Sequence, residues 1–210
     1  MQLRLKLAAA TAAIMTLTAA GAQAATLYAG PSSMPERAAD NGFDVTFNAP
    51  AGAAQLSFVL DGYASLDGQN WYEDDFSLSL NGAQIMLATF NLGGGGPDVV
   101  YSAPLGATFN NTSGNGTNIT WAGGHVNITS PLTLAAGSNT LSFNYHSLTS
   151  GHAGWQGIGD EGWSAHDVTV TNRSGAVPEP SMWALSIVGF AAMGSMLRRQ
   201  RRLQPIRVGA

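Results

Sequence analysis

The 210-residue chain contains no cysteine. That excludes at once a disulfide framework, a thiolate zinc site, a cysteine nucleophile and iron–sulfur ligation. Lysine is almost as scarce, with Lys6 the only one. From Ala25 to Glu179 two cations, Arg37 and Arg173, stand against all thirteen acids, a net charge of −11. A surface of that sign repels polyanions, so binding nucleic acid by neutralising phosphates is excluded as a function class. The same stretch lacks any helix-period run of ten residues, and no repeat of fixed period stands out. A Gly-x-Ser-x-Gly nucleophile elbow is absent too.

What cations there are sit mostly at the two ends. Met1 to Lys6 forms a short basic head, Leu7 to Ala20 an apolar run, and Ala22-Gln23-Ala24 a small-x-small exit. These are the three parts of a secretory signal peptide, predicted over residues 1–24 with cleavage between Ala24 and Ala25. At the other end, Val177-Pro178-Glu179-Pro180 precedes an uncharged run, 181–197, and then Arg198, Arg199, Arg201 and Arg202. Seventeen residues at a rise of about 1.5 Å span roughly 26 Å, near the lower limit for a membrane crossing. Arginine-rich flanks stay on the cytoplasmic side, so the pattern predicts one transmembrane helix, an exported domain and a short cytoplasmic tail, 203–210.

Residues 177–202 resemble the PEP-CTERM sorting signal of Gram-negative bacteria that make exopolysaccharide: Val-Pro-Glu-Pro, an apolar helix and an arginine cluster, in that order. The resemblance implies that the chain is a substrate of an exosortase, a membrane transpeptidase. Pro178, Glu179 and Pro180 would then be the recognition residues, and Arg198, Arg199, Arg201 and Arg202 would retain the tail until processing. The implied destination is the cell surface or extracellular matrix, after transient anchoring in the inner membrane. Two prolines also hold the chain extended and stop a helix from growing outward, as a processing site requires.

Between the ends, residues 25–176 read as one all-β ectodomain. Leu56, Phe58 and Leu60 alternate with polar or exposed-type neighbours, and Phe76-Ser77-Leu78-Ser79-Leu80 repeats the pattern. Asn81-Gly82 then supplies the two residues that a type I′ hairpin needs, with a return strand over 84–90. Leu141 to Tyr145 and Val168 to Val170 alternate likewise, while 118–121 and 126–134 are less regular candidates. Pro131 belongs at an edge or bend. Short strands separated by Gly, Pro and Asn turns predict an antiparallel β-sandwich of the jelly-roll kind. The four consecutive glycines, Gly93 to Gly96, are expected to form a mobile loop. The runs Leu60-Asp61-Gly62-Tyr63, Asp74 to Gly82 and Gly159 to Trp163, with Asp167 to Val170, resemble secreted galactose-binding-like or lectin-like sandwiches.

Acids cluster at Asp61, Asp67, Glu73, Asp74 and Asp75, and again at Asp160, Glu161 and Asp167. Hard oxygen ligands gathered from loops suit Ca²⁺, and an ion would relieve their mutual repulsion; the alternative is a set of solvated turn residues. Asp61, Asp67 and Asp160 are the candidate ligands of a structural Ca²⁺. Trp71, Trp155 and Trp163 lie in Gly-rich, polar surroundings and are candidates for stacking on sugar rings, against the alternative of core packing. Gly157 to Gly162 matches the dinucleotide fingerprint but lacks its strand–turn–helix context. The histidines are dispersed, and six Asn-x-Ser/Thr sequons reflect the strand composition. The reading is of an exported, non-enzymatic surface or matrix protein associated with exopolysaccharide. A carbohydrate-binding module is the alternative, and a polysaccharide hydrolase working through paired carboxylates is a third.

Overall fold

The computed structural model describes residues 24–113, 116–147 and 158–173, together with 184, 187–195 and 198 near the C-terminus. One compact unit runs from Gln23 to Gly175, and a second gathers Met1–Ala22 and Ala176–Ala210. In the second unit residues 187–195 are helical, and no described helix is long and apolar enough to cross a membrane. Most of the signal peptide, the Pro178-Glu179-Pro180 motif, Arg199, Arg201, Arg202 and much of the expected 181–197 span lie outside the described residues.

The first unit is built from antiparallel sheets. The strands are β1 (Thr26–Ala29), β2 (Arg37–Ala38), β3 (Gly42–Ala49), β4 (Gly52–Ala64), β5 (Leu66–Asp67), β6 (Asp74–Leu80) and β7 (Ala83–Thr89). They continue as β8 (Gly93–Gly95), β9 (Val99–Ser102), β10 (Thr108–Asn111), β11 (Gly124–Leu134), β12 (Gly137–Ser147) and β13 (Glu161–Asn172). One sheet has the order β1-β13-β4-β11-β10, with β2 also on β13; the other has β3-β12-β6-β7-β9. β5 and β8 form a small parallel pair.

Alternation puts one face of each long strand into the core between the sheets. Leu56, Phe58 and Leu60 of β4 meet Phe76, Leu78 and Leu80 of β6, and Leu141, Phe143 and Tyr145 of β12. Phe58 contacts Phe143 edge-on at 5.2 Å and Phe76 at 5.8 Å, joining the two sheets. The hairpin between β6 and β7 turns at Asn81 and Gly82, whose φ values of 53° and 82° give the two positive angles that a type I′ turn requires. Pro131 pairs with Gln55 of β4, but β10 ends at the partner of Thr129, so no strand needs a donor from the proline's other side.

Three expectations are corrected. Residues 118–121 form no strand. Gly93–Gly95 is not a mobile loop but a buried strand. Here φ is positive at Gly93 and Gly95, and an added Cβ would press on the carbonyl oxygens of Ala64 (from Gly93) and Ser65 (from Gly94). Trp163 is no sugar platform, because it is fully buried. It is in phase with the inward residues of β13, its ring meets Tyr145 at 5.6 Å and Phe43 at 5.9 Å, and its Nε1 donates to the Ala38 carbonyl at 3.2 Å. Replacing Trp163 with Ala should therefore cost about 3–5 kcal/mol of stability, read as a lower urea midpoint at an unchanged denaturant slope.

Candidate metal centre

The inward phase of two strands carries acids where apolar residues would be expected. On β6, Asp74 shares its face with Phe76, Leu78 and Leu80; on β13, Glu161 shares its face with Trp163 and Ala165. Both are buried, and so is Asp67 on β5. One oxygen from each of Asp67, Asp74 and Glu161 lies within 4.8 Å of the others. Oxygens bonded at about 2.3–2.6 Å to a single Ca²⁺ can cover that span. This buried acidic cluster can hold a metal ion.

Hydrogen bonds organise the Asp67 and Asp74 carboxylates without neutralising them. The Asp67 backbone N–H donates to Asp74 Oδ2 at 2.9 Å. Asn70 Nδ2 donates to Asp67 Oδ1 at 2.5 Å. The buried Thr89 hydroxyl lies between the Asp74 carbonyl at 2.7 Å and the Asp67 carbonyl at 3.0 Å, joining β5, β6 and β7. Asp74 Oδ1 has no hydrogen-bond partner among the described residues.

Burial is the main cause of the unusual acid strengths here. It pushes Asp74 up to about 8, helped by the charges of Glu161 and Asp67 and opposed by the Asp67 N–H and the Ser147 hydroxyl. Asp67 rises to about 6, from burial and the charge of Asp160 against the Asn70 bond. Neighbouring Asp75 also rises to about 6, from burial and the adjacent Glu73.

The cluster opens on one side into a cavity of about 310 Å³ lined by Ser65, Asp67, Tyr72, Gly94, Ile119, Trp121, Asp160 and Glu161. The rim is aromatic and exposed: Trp121 is 65% accessible, Tyr72 49% and Ile119 61%. A buried amide holds it in place. Asn91 Nδ2 donates to the carbonyls of Gly116 at 2.8 Å and Asn118 at 3.1 Å, while Asn91 Oδ1 accepts from Gly93 N and Gly95 N. Trp121 N donates to the Gly93 carbonyl at 3.1 Å, and Trp121 has φ 54°, a backbone region uncommon for a bulky residue.

The expected ligands divide. Asp67 belongs to the cluster, and Asp160 lies on the cavity wall, accepting a hydrogen bond from the Ser65 hydroxyl. Asp61 does not join them: on β4 it is out of phase with the inward Leu60, and it is taken up by His166 Nε2 at 3.0 Å and Ser164 Oγ at 3.3 Å. Among the tryptophans, Trp71 is 69% exposed next to the cavity residue Tyr72, and Trp155 lies outside the described residues. Sequence reasoning placed Asp74 and Glu161 in the acidic clusters but not among the chosen ligands, and missed Tyr72 and Trp121. The signal for the first two was the two-residue phase, since each stands two positions before an inward aromatic.

No protein-family model matches the chain, and no curated protein does.

Acids whose acid strength is weakened by folding bind more protons folded than unfolded, so the folded state loses stability as pH rises. For Asp67, Asp74 and Asp75 the loss begins near their ordinary value of 3.8 and runs through about 6 and about 8. In chelator the melting temperature should fall steadily from pH 5 to pH 8.5. A divalent cation should flatten the slope, since it replaces those protons; thermal melts across that range read both effects.

Proposed function

We propose that the chain is an exported, non-enzymatic protein of the cell surface or extracellular matrix, whose β-sandwich binds Ca²⁺ in the Asp67–Asp74–Glu161 cluster and a glycan in the cleft above it. The observation that carries the binding reading is the pairing of a carboxylate floor with an exposed aromatic rim in one cavity. Sugar rings are apolar on their C–H faces and polar at their edges, so Tyr72 and Trp121 suit the faces, and acidic or metal-bound oxygens suit the hydroxyls. Ca²⁺ is the ion of choice because every available ligand is a hard oxygen and there is no thiolate in the chain. We read the sandwich as a jelly roll, a reading supported by the sheet orders β1-β13-β4-β11 and β3-β12-β6-β7.

Export and sorting rest on the two sequence signals. The Val177-Pro178-Glu179-Pro180 motif, the following apolar run and the arginine cluster support processing by an exosortase, with exopolysaccharide as the surrounding partner.

Two measurements test the proposal. Titration with a panel of polysaccharides should change the tryptophan fluorescence for at least one of them, because Trp121 stands on the rim; silence across neutral, acidic and amino-sugar polymers would end the glycan reading. The intact mass of the mature protein should start at Ala25 and lack Arg198 to Arg202. A mass that retains that cluster refutes processing.

A further inference from the structure

Resting on the glycan-binding reading, we infer that the cation is itself part of the sugar site: it binds a neutral sugar through a vicinal pair of hydroxyls, while Trp121 and Tyr72 pack against the ring.

The acidic cluster alone would not carry this. The additional observation is a pair of fully buried polar atoms. Asp74 Oδ1 and the Tyr145 hydroxyl are both without a hydrogen-bond partner among the described residues, and both residues are completely buried. Asp74 and Asp75 are the charged groups that act most strongly on Tyr145. An orphaned carboxylate oxygen deep in a core is costly, and this one belongs to a carboxylate of the cluster, where an ion would relieve it.

The cluster is also lopsided. Asp74 is sealed on the core side, whereas Asp67 and Glu161 form part of the cavity wall. Ca²⁺ takes about 6–8 oxygens. Three carboxylate oxygens fall short of that number, so further oxygens can complete the shell. The cavity is the open side from which they can come. Adjacent sugar hydroxyls present two oxygens at the spacing of one coordination edge, and the ring behind them meets the exposed Trp121 and Tyr72.

Charge selects among sugars. With all three cluster carboxylates ionised around a bound cation, their charge exceeds its two, and Asp160 is a further acid on the wall. The site therefore stays net negative when filled, inside a domain that is itself strongly acidic. A uronate would bring a further negative charge into that field, whereas a neutral diol brings none. Asn91 and the glycine strand fasten the segment that carries Ile119 and Trp121.

The test uses the purified full chain with mannan and a mixed-linkage glucan as neutral probes, polygalacturonate and alginate as uronate probes, and each condition with Ca²⁺ or with chelator. We expect a neutral polymer to bind with Ca²⁺, to lose at least about tenfold in affinity in chelator, and to lose a similar factor in Trp121→Ala, where about 1.4 kcal/mol of stacking corresponds to tenfold. Asp67→Asn should abolish the Ca²⁺ response while its melting temperature in chelator stays at or above that of the parent chain, because it removes one repelling charge. This keeps loss of the site distinct from loss of the fold. Neutral-sugar binding that survives chelator overturns the cation bridge and leaves the glycan cleft standing. Tighter binding of uronates overturns the charge selection. Binding to none of the four probes, with Ca²⁺ still raising the melting temperature, overturns the inference and leaves a structural ion; no thermal response to Ca²⁺ removes the ion as well.

Discussion

The end of the sandwich is governed by repulsion among carboxylates held close together and away from water. Asp74 and Glu161 are carried inward by the phase of β6 and β13, and Asp67 is brought to them by β5. Strand pairing fixes each of these positions, so the acids cannot retreat without breaking a ladder. Charge must then be cancelled either by protons, as the upward shifts of Asp67 and Asp74 express, or by a cation. The two solutions compete for the same oxygens, and the balance between them changes over the pH range in which Asp74 titrates. The cavity gives the cluster access from outside, since Asp67 and Glu161 stand on its wall.

Around this centre the backbone is specialised for close approach. Gly93 and Gly94 sit against the carbonyls of Ala64 and Ser65, and Gly95 against the Ile119 side chain, where an added side chain would push the chains apart. Asn91 then uses its amide as a second backbone, accepting from Gly93 and Gly95 and donating to Gly116 and Asn118. The result fastens the 116–121 segment, with Ile119 and Trp121, to a strand that has no side chains of its own. Backbone angles in the left-handed region at Ala64 and Trp121 fall in this same region of the chain, consistent with strain being kept where function is built.

Much of the sandwich could be read from alternation and turn chemistry. The β6–β7 hairpin was legible because Asn81-Gly82 has a local cause, and β4 and β12 because one face of each is apolar. The small sheet was not, since glycine carries no periodicity and its pairing depends on tertiary contacts with Ala64, Ser65 and Asn91. Gly-rich flanks suggested exposure for Trp163, but the glycines serve a strand whose inward phase buries the indole. Asp61 misled for the converse reason: proximity in sequence to other acids says nothing of which face it occupies, and the face decides. Applied to acids as well as to apolar residues, the same period would have marked Asp74 and Glu161.

The absence of cysteine and the acidic cluster bear on one another. Asp74 lies on the five-stranded sheet, Glu161 on the six-stranded sheet and Asp67 on the parallel pair, so one ion would tie together three sheets that no disulfide joins. Such a staple differs from a disulfide in being conditional. A ligand that binds only the folded state stabilises it in proportion to the logarithm of its concentration over its dissociation constant, about 1.4 kcal/mol when the ion is at roughly tenfold that constant. Extracellular modules are commonly tuned to Ca²⁺ at about 10⁻⁴–10⁻³ M. If the chain is exported, as proposed, a cluster tuned to that range would remain empty and self-repelling while Ca²⁺ is scarce. It would fill outside, where the same carboxylates change from a source of repulsion into a link between sheets.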